Sequence, residues 1–203
     1  LIQKIREVDY DVCVMTGDYR ARTFGDIKAS ITAMQKVRVH LKQEVYAVLG
    51  NHDSILMVPA LEKMGITLLL NESTYITQGR GKIYLAGIDD AHYFQADDIS
   101  KAGSGISPEI PSILLSHTPA IYQQAAEEGF DVTLSGHTHG GQIRIGNRSP
   151  VIMAAENEVF SYGRYDADGR VMIVSGGIGC SELPVRFNMP PEITVVTLCG
   201  PES

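Results

Sequence analysis

Short continuous apolar runs alternate along the chain with a longer stretch in which apolar residues recur every three or four positions. The apolar runs end at glycine or at polar residues, which is typical of buried strands, and they cover 11–17, 45–50, 112–117 and 131–136. The stretch 24–42 carries apolar residues at helical spacing and therefore predicts an amphipathic helix. This alternation indicates an α/β protein.

The remaining pattern extends this alternation and then changes. Two further helices are predicted over 54–65 and 119–129, and 90–102 reads as a polar helix or an excursion. Strand-like segments cover 66–70, 74–77 and 82–88, and then QIRI, EVFSYGRY, VMIVSGG and EITVVTL in the last third. With no internal repeat and no linker, residues 1–203 are expected to form a single α/β domain with a mixed sheet.

Composition narrows the choice of partners. The net charge of −7 argues against a general nucleic-acid surface, although a phosphorylated substrate is compatible if metal ions supply positive charge. The three cysteines are too scattered for a disulfide framework, and no apolar run reaches the ~18 residues of a membrane span. The opening LIQKIREV reads as the last turns of an amphipathic helix, so we expect an N-terminal segment to be missing.

Polar side chains of the types that bind metal ions follow four of the predicted strands. They are Asp18, Asn51-His52-Asp53, His117, and His137 with His139 in the glycine-flanked LSGHTHGGQI. Because the carboxyl ends of strands in an open α/β sheet form a ligand crevice, we expect these groups to lie close together. Their donors are oxygen and imidazole without thiolate, which favours Mn²⁺, Fe²⁺ or Zn²⁺ over a structural zinc site. A carboxylate such as Asp18 can bridge two ions roughly 3.5–4 Å apart.

Each of these residues also has an ordinary interpretation. Asp18 on its own would be a helix cap or turn residue, Asn51-His52 a turn, and His117 a neighbour of the next helix. Four strand ends carrying ligand-type residues by chance is the less favoured explanation.

Two other histidines have no such context. His40 is expected on the surface. His92 follows Asp89-Asp90 and could reach a substrate, but an ordinary role is favoured for it.

The motifs GD, GNHD, a lone strand-end histidine and GHTH, in this order, resemble those of the calcineurin-like metallophosphoesterases. LSGHTHGGQIRI and the tail GGIGCSELPVRFNMPPEITVVTL are similar to a bacterial branch of small phosphodiesterases, which includes enzymes resembling UDP-2,3-diacylglucosamine pyrophosphohydrolases. The resemblance implies a mixed-sheet β-sandwich flanked by helices. It also implies an Asp-x-His motif on a first strand, which residues 1–12 do not contain, so the sheet is expected to lack that strand.

The resemblance also assigns roles. It implies two divalent ions, Mn²⁺ being preferred over Fe²⁺ or Zn²⁺, with Asp18 as the bridging ligand, His139 on the first ion, and Asn51, His117 and His137 on the second. His52 would stabilise developing charge or protonate the leaving oxygen, and Asp53 would orient His52. A metal-bridging hydroxide would be the nucleophile. His137 and His139 are expected to share one side of an extended stretch and so reach two adjacent ions.

The leading hypothesis is therefore dinuclear metal-dependent hydrolysis of a phosphodiester or pyrophosphate diester, with the chain as given expected to be impaired. One alternative is a non-catalytic scaffold that keeps the phosphoesterase fold, and another is a zinc hydrolase with His117, His137 and His139 on one ion. The expected partner is a phosphoester or nucleotide–lipid small molecule, and no nucleic acid. A cytoplasmic or membrane-associated location is expected, with membrane association through the missing N-terminal segment.

Overall fold

Two β-sheets form the centre of the protein. The computed structural model describes residues 2–42, 44–79, 81–146, 149, 160–167, 169–180 and 183–199. Within these residues the strands form one three-stranded and one six-stranded sheet. The short helix α1 (Ile2–Glu7) precedes the first strand.

The three-stranded sheet is entirely parallel. Its strands are β1 (Val12–Met15), β2 (Glu44–Ala47) and β3 (Thr67–Leu68), in that spatial order. The connections between these strands contain α2 (Lys28–Arg38) and α3 (Val58–Lys63), since parallel neighbours need a crossover that is usually helical.

The six-stranded sheet is mixed. Its strands are β4 (Glu72–Gln78), β5 (Gly81–Gly87), β6 (Ser112–Leu115), β7 (Val132–Ser135), β8 (Gly163–Ala167) and β9 (Arg170–Val174). The spatial order is β4-β5-β6-β7-β9-β8, with parallel pairing in the middle and antiparallel pairing at both edges. Helices α4 (Ile99–Gly103) and α5 (Tyr122–Glu128) precede β6 and β7.

Alternating side chains of the strands build three apolar layers. Between the sheets, Tyr46, Val48 and Leu69 pack with Leu85, Ile113 and Leu115. The opposite face of the three-stranded sheet packs against α2 and α3 through residues that include Met34 and Leu61. The opposite face of the six-stranded sheet packs against α4 and α5 through Ala102 and Ala125. This helix–sheet–sheet–helix arrangement confirms the α/β sandwich expected from the sequence.

Several segments differ from the sequence prediction. Helix α2 begins at Lys28 rather than 24, because residues 20–25 form a loop around the side chain of Arg20. Residues 192–198 (EITVVTL) form no strand, since no described strand pairs with them. QIRI pairs through isolated bridges, one of which joins Ile143 to Phe187. The start of EVFSYGRY, residues 158–159, lies outside the described residues. No helix in the described part of the chain is long and apolar enough to cross a membrane.

Candidate metal centre

The predicted ligands meet where the two sheets come together at the carboxyl ends of their parallel strands. Asp18 and Asn51 follow β1 and β2 of the three-stranded sheet, and His117 and His137 follow β6 and β7 of the six-stranded sheet. In the described part of the chain, the acidic and imidazole groups whose ligand atoms lie within 4.8 Å of one another are Asp18, His117 and His137. Both sheets therefore contribute to one cluster.

Three electron-donating atoms converge on Nε2 of the buried His117 ring. Oδ1 of Asn51 lies 2.9 Å from it, Nδ1 of His137 3.0 Å, and Oδ2 of Asp18 3.3 Å. A neutral or protonated imidazole nitrogen carries at most one hydrogen and so cannot satisfy all three neighbours. On the other side of its ring, Nδ1 of His117 lies 2.6 Å from the carbonyl oxygen of Thr16, which fixes the ring orientation.

Burial and neighbouring charges shift the pKa values of the three cluster residues in different directions. Burial opposes ionisation of Asp18, but the hydrogen bond and charge attraction of His117 outweigh it and lower the pKa of Asp18 to about 2. Burial also opposes a charge on His117, yet the carboxylate of Asp18 raises the pKa of that ring. Burial, with repulsion from the rings of His117 and His92, lowers the pKa of His137 to about 3. At neutral pH the cluster therefore holds an ionised carboxylate and a neutral His137.

The carboxylate of Asp53 connects the loop that carries Asp18 to the loop that carries Asn51. Its carboxylate, 1% exposed, accepts backbone N–H groups from Asp18 (2.7 Å), Tyr19 (2.8 Å), Arg20 (3.2 Å) and Gly50 (2.9 Å). Burial raises the pKa of Asp53 to about 6, against the effect of these amides. The carboxylate thus acts on the two loops, and direct orientation of His52 by Asp53 stays a prediction.

Gly50 lies where no side chain fits. A Cβ on Gly50 would come to 2.8 Å from Cε1 of His117 and would press against Oδ1 of Asp18. The glycine of the GNHD motif therefore allows the backbone after β2 to approach the ligands from both sheets.

His52 lies beside the cluster with its ring already held. Its backbone N–H donates to Oδ1 of Asp18 at 2.9 Å, and Nδ1 of its ring is 2.8 Å from Oγ1 of Thr23. His52 is thus next to the ligands, as expected, but its partner Thr23 was not identified from the sequence. Thr23 precedes His52 by 29 residues, so no local sequence pattern predicts the contact between them.

His139 is arranged differently from the expectation. Both His137 (φ 68°) and His139 (φ 53°) adopt left-handed backbone conformations, so the stretch is not extended, and the chain turns tightly over 139–141. Nδ1 of His139 lies 3.0 Å from Oε1 of Gln142, and His139 does not belong to the group with ligand atoms within 4.8 Å among the described residues. The expectation that His137 and His139 lie in an extended stretch is therefore wrong.

The glycine that follows His139 allows close packing against the segment 183–191. Gly140 has a φ of 61°, and a Cβ there would lie 2.6 Å from Cε of Met189. Arg186, from the same segment, donates from Nη1 to the carbonyl oxygen of His139 at 3.3 Å. The apolar segment 183–191 thus supports the turn that carries His139.

An ordinary role was favoured for His92, with contact to a substrate as the alternative, and the structure places its ring beside one of the candidate metal ligands. Its ring centroid is 4.6 Å from that of His137. The buried carboxylate of Asp90 accepts the N–H groups of His92 (3.2 Å), Tyr93 (2.7 Å) and Phe94 (2.7 Å), which fixes the loop. Tyr93 and Phe94 remain about half exposed, at 56% and 51%. His40, by contrast, is half-buried and lies away from the cluster, with its Nδ1 3.2 Å from Nη2 of Arg6.

The donor set fits a divalent transition metal. One carboxylate, one amide oxygen and two imidazoles suit Mn²⁺, Fe²⁺ or Zn²⁺. Nε2 of His137 is buried and has no hydrogen-bond partner among the described residues. A crowded set of lone pairs around one nitrogen is the arrangement that a cation would satisfy.

Comparison with known proteins agrees with this geometry. The sequence model of the calcineurin-like phosphoesterases matches residues 1–141. The uncharacterized metallophosphoesterase YkuE of Bacillus subtilis (strain 168) is 32% identical over 206 residues, which cover 98% of this chain and 71% of that protein. The phosphodiesterase YaeI of Escherichia coli (strain K12) is 27% identical over 197 residues, covering 93% of this chain and 70% of YaeI.

The fold is also found in a solved structure. The crystal structure of phosphopantetheinyl hydrolase (PptH) from Mycobacterium tuberculosis aligns with a TM-score of 0.53 at 12% identity, over 85% of this chain and 82% of that one. At this identity the similarity concerns the fold alone. The family model that matches residues 1–141 and the 32% identical relative lead to one conclusion: the chain belongs to the calcineurin-like phosphoesterase family.

Proposed function

We propose that the protein is a dinuclear metal-dependent phosphodiesterase that hydrolyses a small phosphodiester or pyrophosphate diester. The observation that carries the proposal is the convergence of Asp18, Asn51 and His137 on Nε2 of His117. Membership of the family supports metal-dependent phosphoester hydrolysis. The relative YaeI, which is named a phosphodiesterase, supports a diester as substrate.

In this proposal two divalent ions would be held by Asp18 as a shared ligand, by Asn51, His117 and His137 for one ion, and by His139 for the other. Divalent ions bound here would polarise a phosphoryl oxygen and activate water for in-line attack at phosphorus. The family resemblance also implies an Asp-x-His motif that supplies further ligands to the first ion. Residues 1–12 do not contain this motif, and its role stays a prediction. Mn²⁺ is the ion we propose, because oxygen and imidazole donors both suit it.

His52 completes the proposed chemistry. With Nδ1 bonded to Thr23, the other ring nitrogen remains for the reacting phosphate, where it would protonate or stabilise the leaving oxygen. Asp53 and Gly50 act through the backbone, because they set how closely the loops after β1 and β2 approach. Nucleotide–lipid pyrophosphates are among the diesters that we propose as substrates.

The test is hydrolysis of bis(p-nitrophenyl) phosphate by chain stripped with chelator and reloaded with Mn²⁺. We expect measurable but impaired turnover by the wild type, a further loss of about a hundredfold in Asp18→Asn, and no change in Asp9→Asn, a matched substitution at an exposed residue. Metal analysis should give two Mn²⁺ per chain. Bound Mn²⁺ without hydrolysis of diester or monoester would favour the scaffold alternative, and one tightly bound ion would favour a mononuclear site.

A further inference from the structure

The imidazole of His52 is held by a residue from the loop after β1. Oγ1 of Thr23 lies 2.8 Å from Nδ1 of His52 and 3.4 Å from the carbonyl oxygen of Asn51. Asn51 belongs to the ligand cluster, so this one hydroxyl contacts the backbone of a ligand and the ring of its neighbour. Thr23 itself is half-buried.

A buried cation holds Thr23 in this place. The guanidinium of Arg20 donates from Nη1 to the carbonyl oxygen of Thr23 at 2.8 Å and from Nη2 to that of Gly25 at 2.9 Å. Arg20 is only 7% exposed, and a buried guanidinium is costly unless its N–H groups are bonded. Its backbone N–H in turn donates to Oδ1 of Asp53 at 3.2 Å. The loop 20–25 is thus closed around Arg20 and tied to Asp53.

We propose that Thr23 is a positioning residue that fixes the orientation of the His52 imidazole for the reaction. The inference rests on the proposed function, in which His52 meets the leaving oxygen. The ring torsion of histidine is broad and nearly two-fold, so an unrestrained imidazole samples both orientations. A bond at Nδ1 selects one of them and aims the other nitrogen away from Thr23.

A hydroxyl is suited to this role because it both donates and accepts hydrogen bonds. Thr23 can therefore hold the ring in either neutral tautomer, whereas a carboxylate would favour the protonated ring. Through Arg20, the carboxylate of Asp53 also acquires an indirect link to His52. The chain of contacts runs from Asp53 to Arg20, then to Thr23 and finally to the imidazole.

The experiment compares Thr23→Val and Thr23→Ser with the wild type. Thr32→Val is the matched control, since the hydroxyl of Thr32 also bonds a backbone carbonyl, that of Lys28 at 2.9 Å, but on the exposed surface of α2. Steady-state kinetics with bis(p-nitrophenyl) phosphate give kcat and KM, and metal analysis gives bound Mn²⁺. Imidazole ¹⁵N spectra, assigned with His52→Gln, report the bond at Nδ1 whether or not the protein turns over.

We expect Thr23→Val to lower kcat about tenfold, with KM and bound Mn²⁺ within twofold of wild type. The reason is that this variant loses only the fixed orientation of the His52 imidazole. Thr23→Ser should restore kcat, and Thr32→Val should match the wild type. The Nδ1 signal of His52 should shift in Thr23→Val alone. If that variant does not fold, Thr23→Ala removes the same hydroxyl without an added methyl group and carries the same expectation.

An unchanged kcat in Thr23→Val, in an active wild type, overturns the positioning role and leaves the proposed function standing. An inactive wild type whose His52 signal still shifts in Thr23→Val refutes the proposed function while confirming that Thr23 orients the ring. An unshifted signal overturns the inference in either case.

Discussion

Replacement of Gly50 by alanine is the most direct test of how the ligand loops are packed. The backbone of Gly50 is not in the left-handed region, so the difficulty for alanine is space alone. Its Cβ would lie 2.8 Å from Cε1 of His117 and 2.6 Å from the backbone nitrogen of Asp18. Real Cβ contacts start well above such distances, so a ring and a strand-end loop must both move.

The expected losses of stability and activity in Gly50→Ala depend on which neighbouring groups the new methyl group displaces. Extra methyl groups in packed sites cost about 1–3 kcal/mol, and here the neighbours are a backbone nitrogen and an imidazole whose other nitrogen is fixed by Thr16. Misplacement of a reacting group by about 1 Å lowers a rate about a hundredfold. We therefore expect Gly50→Ala to lose about 2 kcal/mol of unfolding free energy, to bind Mn²⁺ more weakly, and to lose about a hundredfold in kcat/KM.

The assays are urea unfolding, Mn²⁺ titration by calorimetry, and hydrolysis of bis(p-nitrophenyl) phosphate. Gly179→Ala is the control, because a Cβ there would meet nothing within 4 Å and the residue has no positive φ. If Gly50→Ala matched Gly179→Ala within twofold in affinity and turnover, the close approach of the two loops would not matter and our account of the GNHD glycine would be refuted.

Three further predictions concern the same centre. Chelation should abolish hydrolysis, and Mn²⁺ at a hundred times its Kd should add about 2.7 kcal/mol per bound ion to the unfolding free energy of the wild type, and less in His117→Ala. Asp53→Ala leaves four backbone N–H groups without their acceptor, so urea unfolding should show a loss of about 3 kcal/mol. His137 stays neutral in the folded chain down to about pH 3 but binds a proton near 6.5 when unfolded, so acidification within that window favours unfolding. Metal-free His137→Gln should therefore lose less stability than wild type between pH 7 and pH 5, and an equal loss in both chains would contradict the neutral ring.

The ligand cluster could be predicted because strand ends have a geometric meaning. Parallel strands bring their carboxyl ends to one edge, and Asp18, Asn51, His117 and His137 each follow such a strand. The oxygen and imidazole donors of these residues then predict that the cluster binds a metal ion. Neither step requires knowledge of side-chain conformation, which is why the sequence alone was sufficient for this part of the site.

Other parts of the site depend on loop conformation, which the sequence does not reveal. His92 reaches His137 because the buried carboxylate of Asp90 folds residues 92–94 around itself. The pairing of Thr23 with His52 depends on Arg20 filling the loop from within. The left-handed conformation of His139 is a third case, since non-glycine residues rarely adopt it.

The segment 192–198 shows the limit of strand patterns. Its apolar and β-branched residues are typical of a strand, yet Val195 is 59% exposed and no described strand pairs with the segment. A strand requires a neighbour to accept its hydrogen bonds, and local composition contains no information on that neighbour.

The division of the ligands between the two sheets has a consequence for how the protein unfolds. A layer of side chains lies between the sheets, and the residues that would hold an ion come from both sides of that layer. An ion held by both sides would act as a cross-link, so that the sheets could separate only after releasing it. We expect amide exchange in β2 and β6 to merge into a single cooperative opening when Mn²⁺ is bound, and to occur as two separate openings when it is removed. Metal supply would then set the lifetime of the folded chain as well as its activity.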